Sequence, residues 1–213
     1  MNAMLSATIP LPAILDQPVS AGAGRRHRID TYCLTPLDVE RFNTLLLRLG
    51  RRQAPLNCDQ VVTAARELCD CNTRTAEPPS ILERMHRVER ASQMIQDPDW
   101  ETANEAVDTA RLVIGYTQGN ENLIPDWVPT VGRLDDAIVV DAAWPRLADE
   151  VESYLDFCRL REVEAEQGSG LTRAFRRADW EQANCEAAAL AAHQRDVREH
   201  SYLPQSAAFF RIH

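Results

Sequence analysis

Leu-Ile-Pro-Asp-Trp-Val-Pro-Thr-Val-Gly-Arg-Leu-Asp-Asp, residues 123–136, is the stretch of this chain whose residue choices constrain the backbone most. Pro125 and Pro129 each lack a backbone N–H and fix φ, and each disfavours helix in the residue before it. An uninterrupted helix therefore cannot pass through this stretch. Gly132 indicates either a positive φ or a close approach of two backbone segments.

The side chains of the same stretch predict how it packs. Asp126 is suited to be a helix N-cap, because its carboxylate can accept from free backbone N–H groups. Asp135 and Asp136 open the next predicted helix, where carboxylates favour the positive N-terminal end. The remaining large side chains are apolar, which predicts a kinked wedge buried in the protein. They are Ile124, Trp127, Val128, Val131 and Leu134.

The order Leu-Ile-Pro-Asp-x-x-Pro-x-x-Gly-x-x-Asp-Asp, preceded by an apolar helix that carries Tyr116, resembles the signature of the YkvA family of small bacterial helical domains of unknown function. The similarity covers about residues 110–145. Family members typically read Pro-x-Asp just before this core, whereas this chain has Asn120 and Asn122 there. The resemblance implies a helical domain and no established catalytic activity. The motif positions, for which mainly structural roles are expected, are Leu123, Ile124, Pro125, Asp126, Trp127, Pro129, Gly132, Asp135 and Asp136.

Composition bounds the class of protein. The 213 residues fit one compact domain with or without a small appendage, and 45% apolar residues suffice for a core. The net charge of −9 argues against nucleic acid as a partner, because such binding depends on clustered Lys and Arg. The apolar runs are far shorter than the roughly 20 residues that span a bilayer, so no transmembrane segment is predicted.

Hydrophobic periodicity and capping residues predict an all-α fold, an irregular bundle of seven to eight helices around a Pro/Gly-kinked central hairpin. Four segments follow from the breaks in the pattern. Residues 1–30 are predicted to be a flexible tail, 31–75 a helical hairpin, 76–166 the YkvA-like core, and 167–213 a linker followed by a C-terminal helix and an apolar tail.

Individual helix ends are also predicted. Thr35 before Pro36 is a strong start signal, and Gly50 ends that helix. Pro145 is expected to end one helix at about residue 144 and to restart another at about residue 146. In the first of these two helices Asp141 is the charged residue among apolar ones, so it requires a partner. Two further helices are predicted to start near Trp100 and Trp180, each after an Asp that can cap it.

The cysteines and histidines leave the question of a metal open. Cys33, Cys58, Cys69 and Cys71 could in principle form a zinc site. We favour free cysteines packed as small hydrophobic residues, because no CxxC pair is present and no cofactor is indicated. His86 lies beside arginines on a predicted basic helix face, and we interpret it as a solvated side chain without a role.

Three classes of function remain. We favour a non-enzymatic interaction protein, an adaptor or accessory subunit in the cytoplasm that binds a protein partner or forms a homo-oligomer. A peripheral membrane protein that contacts lipid through Trp127 is the first alternative. The second is a metal-dependent enzyme that uses Asp126, Asp135 and Asp136, since paired carboxylates can hold Mg²⁺ or transfer protons.

Overall fold

The computed structural model describes residues 9–18, 26–71, 77–119, 122–166 and 174–201, and these ranges are mostly helical. The all-α prediction is confirmed, with six helices in the described ranges instead of seven to eight, and with one short pair of antiparallel strands. The elements are β1 (Arg28–Ile29), β2 (Tyr32–Cys33), α1 (Pro36–Leu49), α2 (Cys58–Cys71), α3 (Pro79–Gln96), α4 (Asn104–Thr117), α5 (Leu134–Glu166) and α6 (Arg177–Ser201).

The chain divides into two compact units. Unit 1 comprises the described residues within 9–98 and 102–154, and unit 2 comprises 99–101 and the described residues from 155 onward. Unit 1 therefore contains the central loop, which we define as residues 122–133, together with the first 21 residues of α5 (134–154).

Helix α1 begins and ends where the sequence predicts. The side-chain oxygen of Thr35 accepts from the backbone N–H of Asp38 at 3.2 Å, and Pro36 occupies the first turn, where its missing N–H costs nothing. Gly50 has a φ of 104°, a left-handed conformation that favours glycine and ends the helix. The inward face of α1 is formed by Val39, Phe42, Leu46 and Leu49.

The predicted N-terminal tail makes defined contacts in its described parts. Residues Ala13–Asp16 form a 3-10 turn that buries Leu15. The side-chain amide of Gln60, on α2, donates to the carbonyl oxygens of Ile14 at 3.2 Å and Gln17 at 2.8 Å. Residues 1–8 and 19–25 lie outside the described ranges. The strands β1 and β2, joined by a turn in which Asp30 has a φ of 49°, were not predicted because each is only two residues long.

Helix α5 differs from its prediction because it runs through Pro145 without a break. Proline removes the hydrogen bond to the carbonyl of Asp141 and its ring crowds that carbonyl, and the packing on both sides offsets this cost of about 3 kcal/mol. Ala143 before the proline is buried, and Leu147 and Val151 after it are buried too. Continuous burial along one face therefore keeps the two predicted helices in one rod.

Helix α4 also begins later than predicted. It starts at Asn104, and Trp100 lies before the helix instead of in its first turn. In unit 2 the Trp100 ring packs against Phe157, with centroids 5.1 Å apart, and against Trp180, with centroids 5.3 Å apart. Phe175 stacks on Phe157, and the Arg177 guanidinium lies 4.4 Å from the centroid of Trp100. This aromatic cluster forms the core of unit 2.

None of the described helices combines the length and the apolar character that crossing a bilayer requires.

Candidate functional site

The central loop is a series of turns instead of a capped helix. The N–H of Val128 donates to the carbonyl of Pro125 at 2.9 Å, and the N–H of Val131 donates to that of Pro129 at 2.8 Å. Thr130 has a φ of 70°, which is rare for a β-branched residue. The two prolines thus prevent a regular helix, as predicted, and short-range turns take its place.

Gly132 is required by close backbone approach. A Cβ atom added there would lie 2.7 Å from the carbonyl oxygen of Asp126 and 2.8 Å from that of Val128. Its φ is not in the left-handed region, so the second of the two explanations offered by the sequence applies. Glycine therefore allows the loop to fold onto itself before α5 begins.

Two residues of the stretch 123–136, Trp127 and Asp126, differ from their predictions. Ile124, Val128, Val131 and Leu134 are buried, whereas Trp127 is 62% exposed. Asp126 is exposed and caps no helix in the described structure; its Oδ1 accepts from the side-chain amide of Asn122 at 3.1 Å. The tight turns point the Trp127 side chain outward, which the apolar character of the residue could not reveal.

Asp135 connects the central loop to two helices. The side chain is 0% exposed, and its Oδ2 accepts from the Tyr116 hydroxyl at 2.7 Å and from the Ile124 N–H at 3.1 Å. The same hydroxyl accepts from the Leu123 N–H at 2.9 Å. The backbone N–H groups of Leu123 and Ile124 in the central loop thus donate to side chains, because buried backbone N–H groups require an acceptor. Burial raises the pKa of Asp135 to about 6, although hydrogen bonds, first among them that from the Tyr116 hydroxyl, partly oppose that shift.

Asp136 is also buried, but it has fewer stabilising partners than Asp135. Its side chain is 1% exposed, and its nearest cation is Arg133, with Nε 3.8 Å from Oδ2. Arg133 also lies 3.7 Å from Glu77, which divides its charge between two carboxylates. Burial, followed by repulsion from Asp135 and Asp126, raises the pKa of Asp136 to about 8. Asp136 is therefore largely protonated near neutral pH. We call Asp135 and Asp136 the carboxylate pair.

The three acidic residues of the motif do not share one environment. Asp126 is exposed, whereas the carboxylate pair is inaccessible to solvent. Across the described ranges, no group of three or more His, Cys, Asp or Glu side chains could hold a metal ion. Of the suggested zinc ligands, Cys33 is exposed, Cys58 is buried and Cys69 is half-buried, while the side chain of Cys71 lies outside the described set. His86 is exposed on α3.

Asp141 has the partner that the sequence required. Arg84 of α3 donates from Nε and Nη2 to the two carboxylate oxygens, each at 2.8 Å, in a two-pronged ion pair. A third nitrogen of Arg84 donates to the carbonyls of Ile9 and Ser80. Sequence reasoning did not identify Arg84, yet a signal existed: it falls in the inward stripe of α3 with Ile81, Met85 and Val88.

A cavity of about 630 Å³ adjoins Tyr116 on the side of β2 and α1. Its wall mixes polar and apolar side chains, including Asp38, Arg41 and Phe42. The hydroxyl of Tyr116 is already engaged with Asp135 and Leu123, so it is not free to act on a molecule in the cavity. The arrangement around the carboxylate pair holds backbone together and presents no open set of acid, base and nucleophile.

Comparison of the chain with known proteins found no matching family model, no matching curated protein and no matching solved structure.

Proposed function

We propose that this chain is a non-enzymatic helical interaction protein of the YkvA-like kind, an adaptor or accessory subunit that acts in the cytoplasm. The exposure of Trp127 on the central loop carries the proposal. Tryptophan is among the residues most enriched where a few side chains dominate the energy of protein–protein binding. An exposed indole in a tightly constrained loop is therefore suited to enter an apolar pocket of a partner protein.

The loop holds Trp127 in a defined position before any partner binds. The Trp127 ring meets the Tyr32 ring edge-on, with 6.1 Å between centroids and 87° between planes. Val128, the next residue, is buried, and its N–H is bonded to the carbonyl of Pro125. A side chain on such a rigid support loses little conformational entropy on binding, which favours affinity.

The positions of the acidic residues favour a structural role over a catalytic one. A Mg²⁺ site needs several oxygen ligands that reach one accessible point, and a general base needs access to its substrate. Asp126 is exposed, whereas Asp135 and Asp136 are buried and one of them already binds Tyr116. A metal-dependent enzyme is therefore disfavoured. Nucleic acid remains a poor candidate for the partner because the net charge is −9.

Peripheral membrane binding is the second candidate function, and Trp127 is also the observation that favours it. Indole rings partition into the lipid interface. The net charge of −9 and the exposed Asp126 beside the tryptophan oppose contact with anionic lipid. A protein partner, including a second copy of this chain, is thus the stronger proposal.

The test is affinity purification of the full-length tagged protein from its native cells. The wild type is compared with Trp127→Asp and with a control, Leu82→Asp, which alters an exposed leucine on α3. We expect a stoichiometric partner with the wild type and the control and its loss with Trp127→Asp. Light scattering after gel filtration identifies a partner that is another copy.

Equal recovery from all three proteins, or no stoichiometric partner in any assembly state, contradicts the proposal. Flotation with phosphatidylcholine and phosphatidylglycerol vesicles examines the alternative. Flotation that requires Trp127, together with no protein partner, favours a membrane role instead.

A further inference from the structure

Two aromatic rings from different parts of unit 1 meet at the surface, and we call them the aromatic corner. The Trp127 ring comes from the central loop and the Tyr32 ring from β2, with 87° between their planes and 6.1 Å between their centroids. Trp127 is 62% exposed and Tyr32 is half-buried, so a molecule in solvent can reach the indole. The Tyr32 side is fixed, because Tyr32 pairs with Ile29 across the two strands. The N–H of Leu34 also donates to the carbonyl of His27 at 2.7 Å.

Acidic side chains lie close to both rings along the chain. Asp126 directly precedes Trp127, and Asp30 lies two residues before Tyr32, in the turn that joins β1 to β2. Both carboxylates are exposed, and neither forms an ion pair within the ranges that the structure describes. Their charges are therefore not neutralised by an arginine in these ranges, and they favour a cation beside the aromatic corner.

The electrostatic surroundings of the Tyr32 ring are also negative. Burial, followed by the negative charges of Asp38 and Asp135, raises the pKa of the Tyr32 hydroxyl. Arg41 lies 4.0 Å from Asp38, but its side chain is 74% exposed, so water screens its attraction for that carboxylate. The surface beside the two rings therefore keeps a negative potential, which attracts a cationic partner and repels an anionic one.

Other tryptophan rings of this chain already carry an arginine. The Arg87 guanidinium lies 4.6 Å from the centroid of Trp144, and that of Arg177 lies 4.4 Å from the centroid of Trp100. Trp127 is more exposed than either ring, yet no arginine or lysine lies over it in the described part of the chain. A perpendicular neighbour such as Tyr32 covers at most one face of an indole. The Trp127 ring can therefore receive a cation from another molecule.

We propose that the aromatic corner binds an arginine side chain of the partner protein, with the guanidinium on the Trp127 ring and paired with Asp126. This inference rests on the proposed interaction function and adds the chemistry of the partner. Tryptophan gives the strongest cation–π attraction, and arginine supplies the cation more often than lysine. A planar guanidinium also stacks on aromatic rings and pairs with carboxylates. The net charge of −9 favours a basic partner surface over an acidic one.

The experiment is an NMR titration of the full-length, nitrogen-15-labelled protein with two peptides. One consists of three Gly-Arg repeats, and the other has citrulline, which is planar but uncharged, in place of arginine. The indole N–H resonance of Trp127 is assigned by its absence in Trp127→Phe. We expect the arginine peptide to shift this resonance saturably and the citrulline peptide to bind at least about fivefold more weakly. Asp126→Lys should weaken the arginine peptide at least about tenfold. Asp108→Lys, which alters an exposed acid on α4, should bind like the wild type.

A second variant guards against loss of folding in Asp126→Lys. Asp126→Asn removes the charge but keeps an oxygen that can accept from the side-chain amide of Asn122, so it should fold normally, as circular dichroism can verify. It should weaken the arginine peptide several-fold and affect the citrulline peptide less. The proposal is overturned if neither peptide shifts the Trp127 resonance or if the two peptides bind alike. It is also overturned if folded Asp126→Lys or Asp126→Asn binds the arginine peptide as the wild type does.

Affinity purification with Asp126→Lys separates this inference from the proposed function. Loss of the partner with both Trp127→Asp and Asp126→Lys supports arginine recognition. Loss with Trp127→Asp alone leaves the interaction function intact and refutes arginine recognition. Binding of the arginine peptide at Trp127 in a protein that recovers no stoichiometric partner refutes the interaction function and supports the preference of the aromatic corner for a guanidinium.

Discussion

Tyr116, in the last turn of α4, donates its hydroxyl proton to Asp135, in the first turn of α5, across 2.7 Å. The same hydroxyl accepts from the N–H of Leu123, and Asp135 accepts from the N–H of Ile124. Two helices and the loop between them are thus joined through one pair of side chains. The central loop depends on Tyr116 and Asp135 because no carbonyl of the loop accepts from the N–H groups of Leu123 and Ile124 in the described structure.

Removal of the Tyr116 hydroxyl should therefore destabilise the protein. We expect Tyr116→Phe to lower the free energy of unfolding by about 1–3 kcal/mol, because the Leu123 N–H and the Asp135 carboxylate each lose a buried partner. Urea denaturation followed by circular dichroism measures the change. Tyr32→Phe is the matched control, since no hydrogen bond of its hydroxyl is found in the described structure, and its effect should be near zero. Equal losses in both variants would count against the connecting role of Tyr116.

The carboxylate pair predicts a pH dependence of stability. Burial raises the pKa of Asp136 from 3.8 to about 8, so the folded protein keeps a proton that the unfolded chain releases. The contribution of this group to stability is fully present below about pH 4 and is lost as the pH rises toward about 8. Asp135, with a pKa of about 6, acts in the same direction at lower pH.

The variant Asp136→Asn isolates this effect, because the amide resembles the protonated acid and does not titrate. We expect the free energy of unfolding of the wild type to fall more steeply than that of the variant as the pH increases from 5 to 8, within the window between the unfolded and folded pKa of Asp136. Urea titrations at several pH values measure both slopes. Parallel profiles for the two proteins would show that Asp136 carries no raised pKa.

The ion pair of Arg84 and Asp141 should make a larger contribution than any exposed arginine on α3. Arg84→Met removes the donors of the Ile9 and Ser80 carbonyls and leaves Asp141, which is 35% exposed, only Arg87 at 3.9 Å, so we expect a loss of about 2 kcal/mol. Arg90→Met alters an exposed arginine of the same helix and should change stability by less than about 0.5 kcal/mol. Thermal and urea unfolding test the difference, and similar losses would refute a special role for Arg84.

Two glycine substitutions should have opposite signs. Gly132→Ala places a Cβ atom 2.7 Å from a backbone oxygen, so the loop must move and about 1–3 kcal/mol is lost. Gly115→Ala lies within α4, where an added Cβ meets nothing within 4 Å, and should stabilise the helix by about 0.5–1 kcal/mol. Urea midpoints of the two variants measure this, and a stable Gly132→Ala protein would contradict the close approach.

Local chemistry accounts for the parts of the fold that the sequence predicts well. The start of α1 follows from Thr35 and Pro36, and its end follows from Gly50, because capping and left-handed backbone act within a few residues. The break before α5 follows in the same way from Pro125 and Pro129. The need of Asp141 for a partner was also evident, because it interrupts an apolar helix face.

Contacts between distant residues account for what pattern alone could not predict. Trp127 is apolar like Val128, yet one is exposed and the other buried, because the turns set their directions. Pro145 interrupts no helix, because apolar side chains on both sides of it are buried along one continuous face. Each outcome depends on which surfaces meet, and the identity of a residue does not contain that information.

The features of the candidate site also fall into two groups, those set by local chemistry and those set by contacts between distant residues. The amino-acid order places Asp135 and Asp136 at a helix start and Gly132 at a constrained turn, since each of these follows from short-range backbone chemistry. Tertiary packing determines that both carboxylates are shielded from water and that Asp135 binds Tyr116, 19 positions earlier in the chain. It also determines that Arg84 pairs with Asp141, 57 positions away. Burial and pairing are properties of segments brought together across the chain, and they set whether a charged side chain stabilises the fold or acts on another molecule.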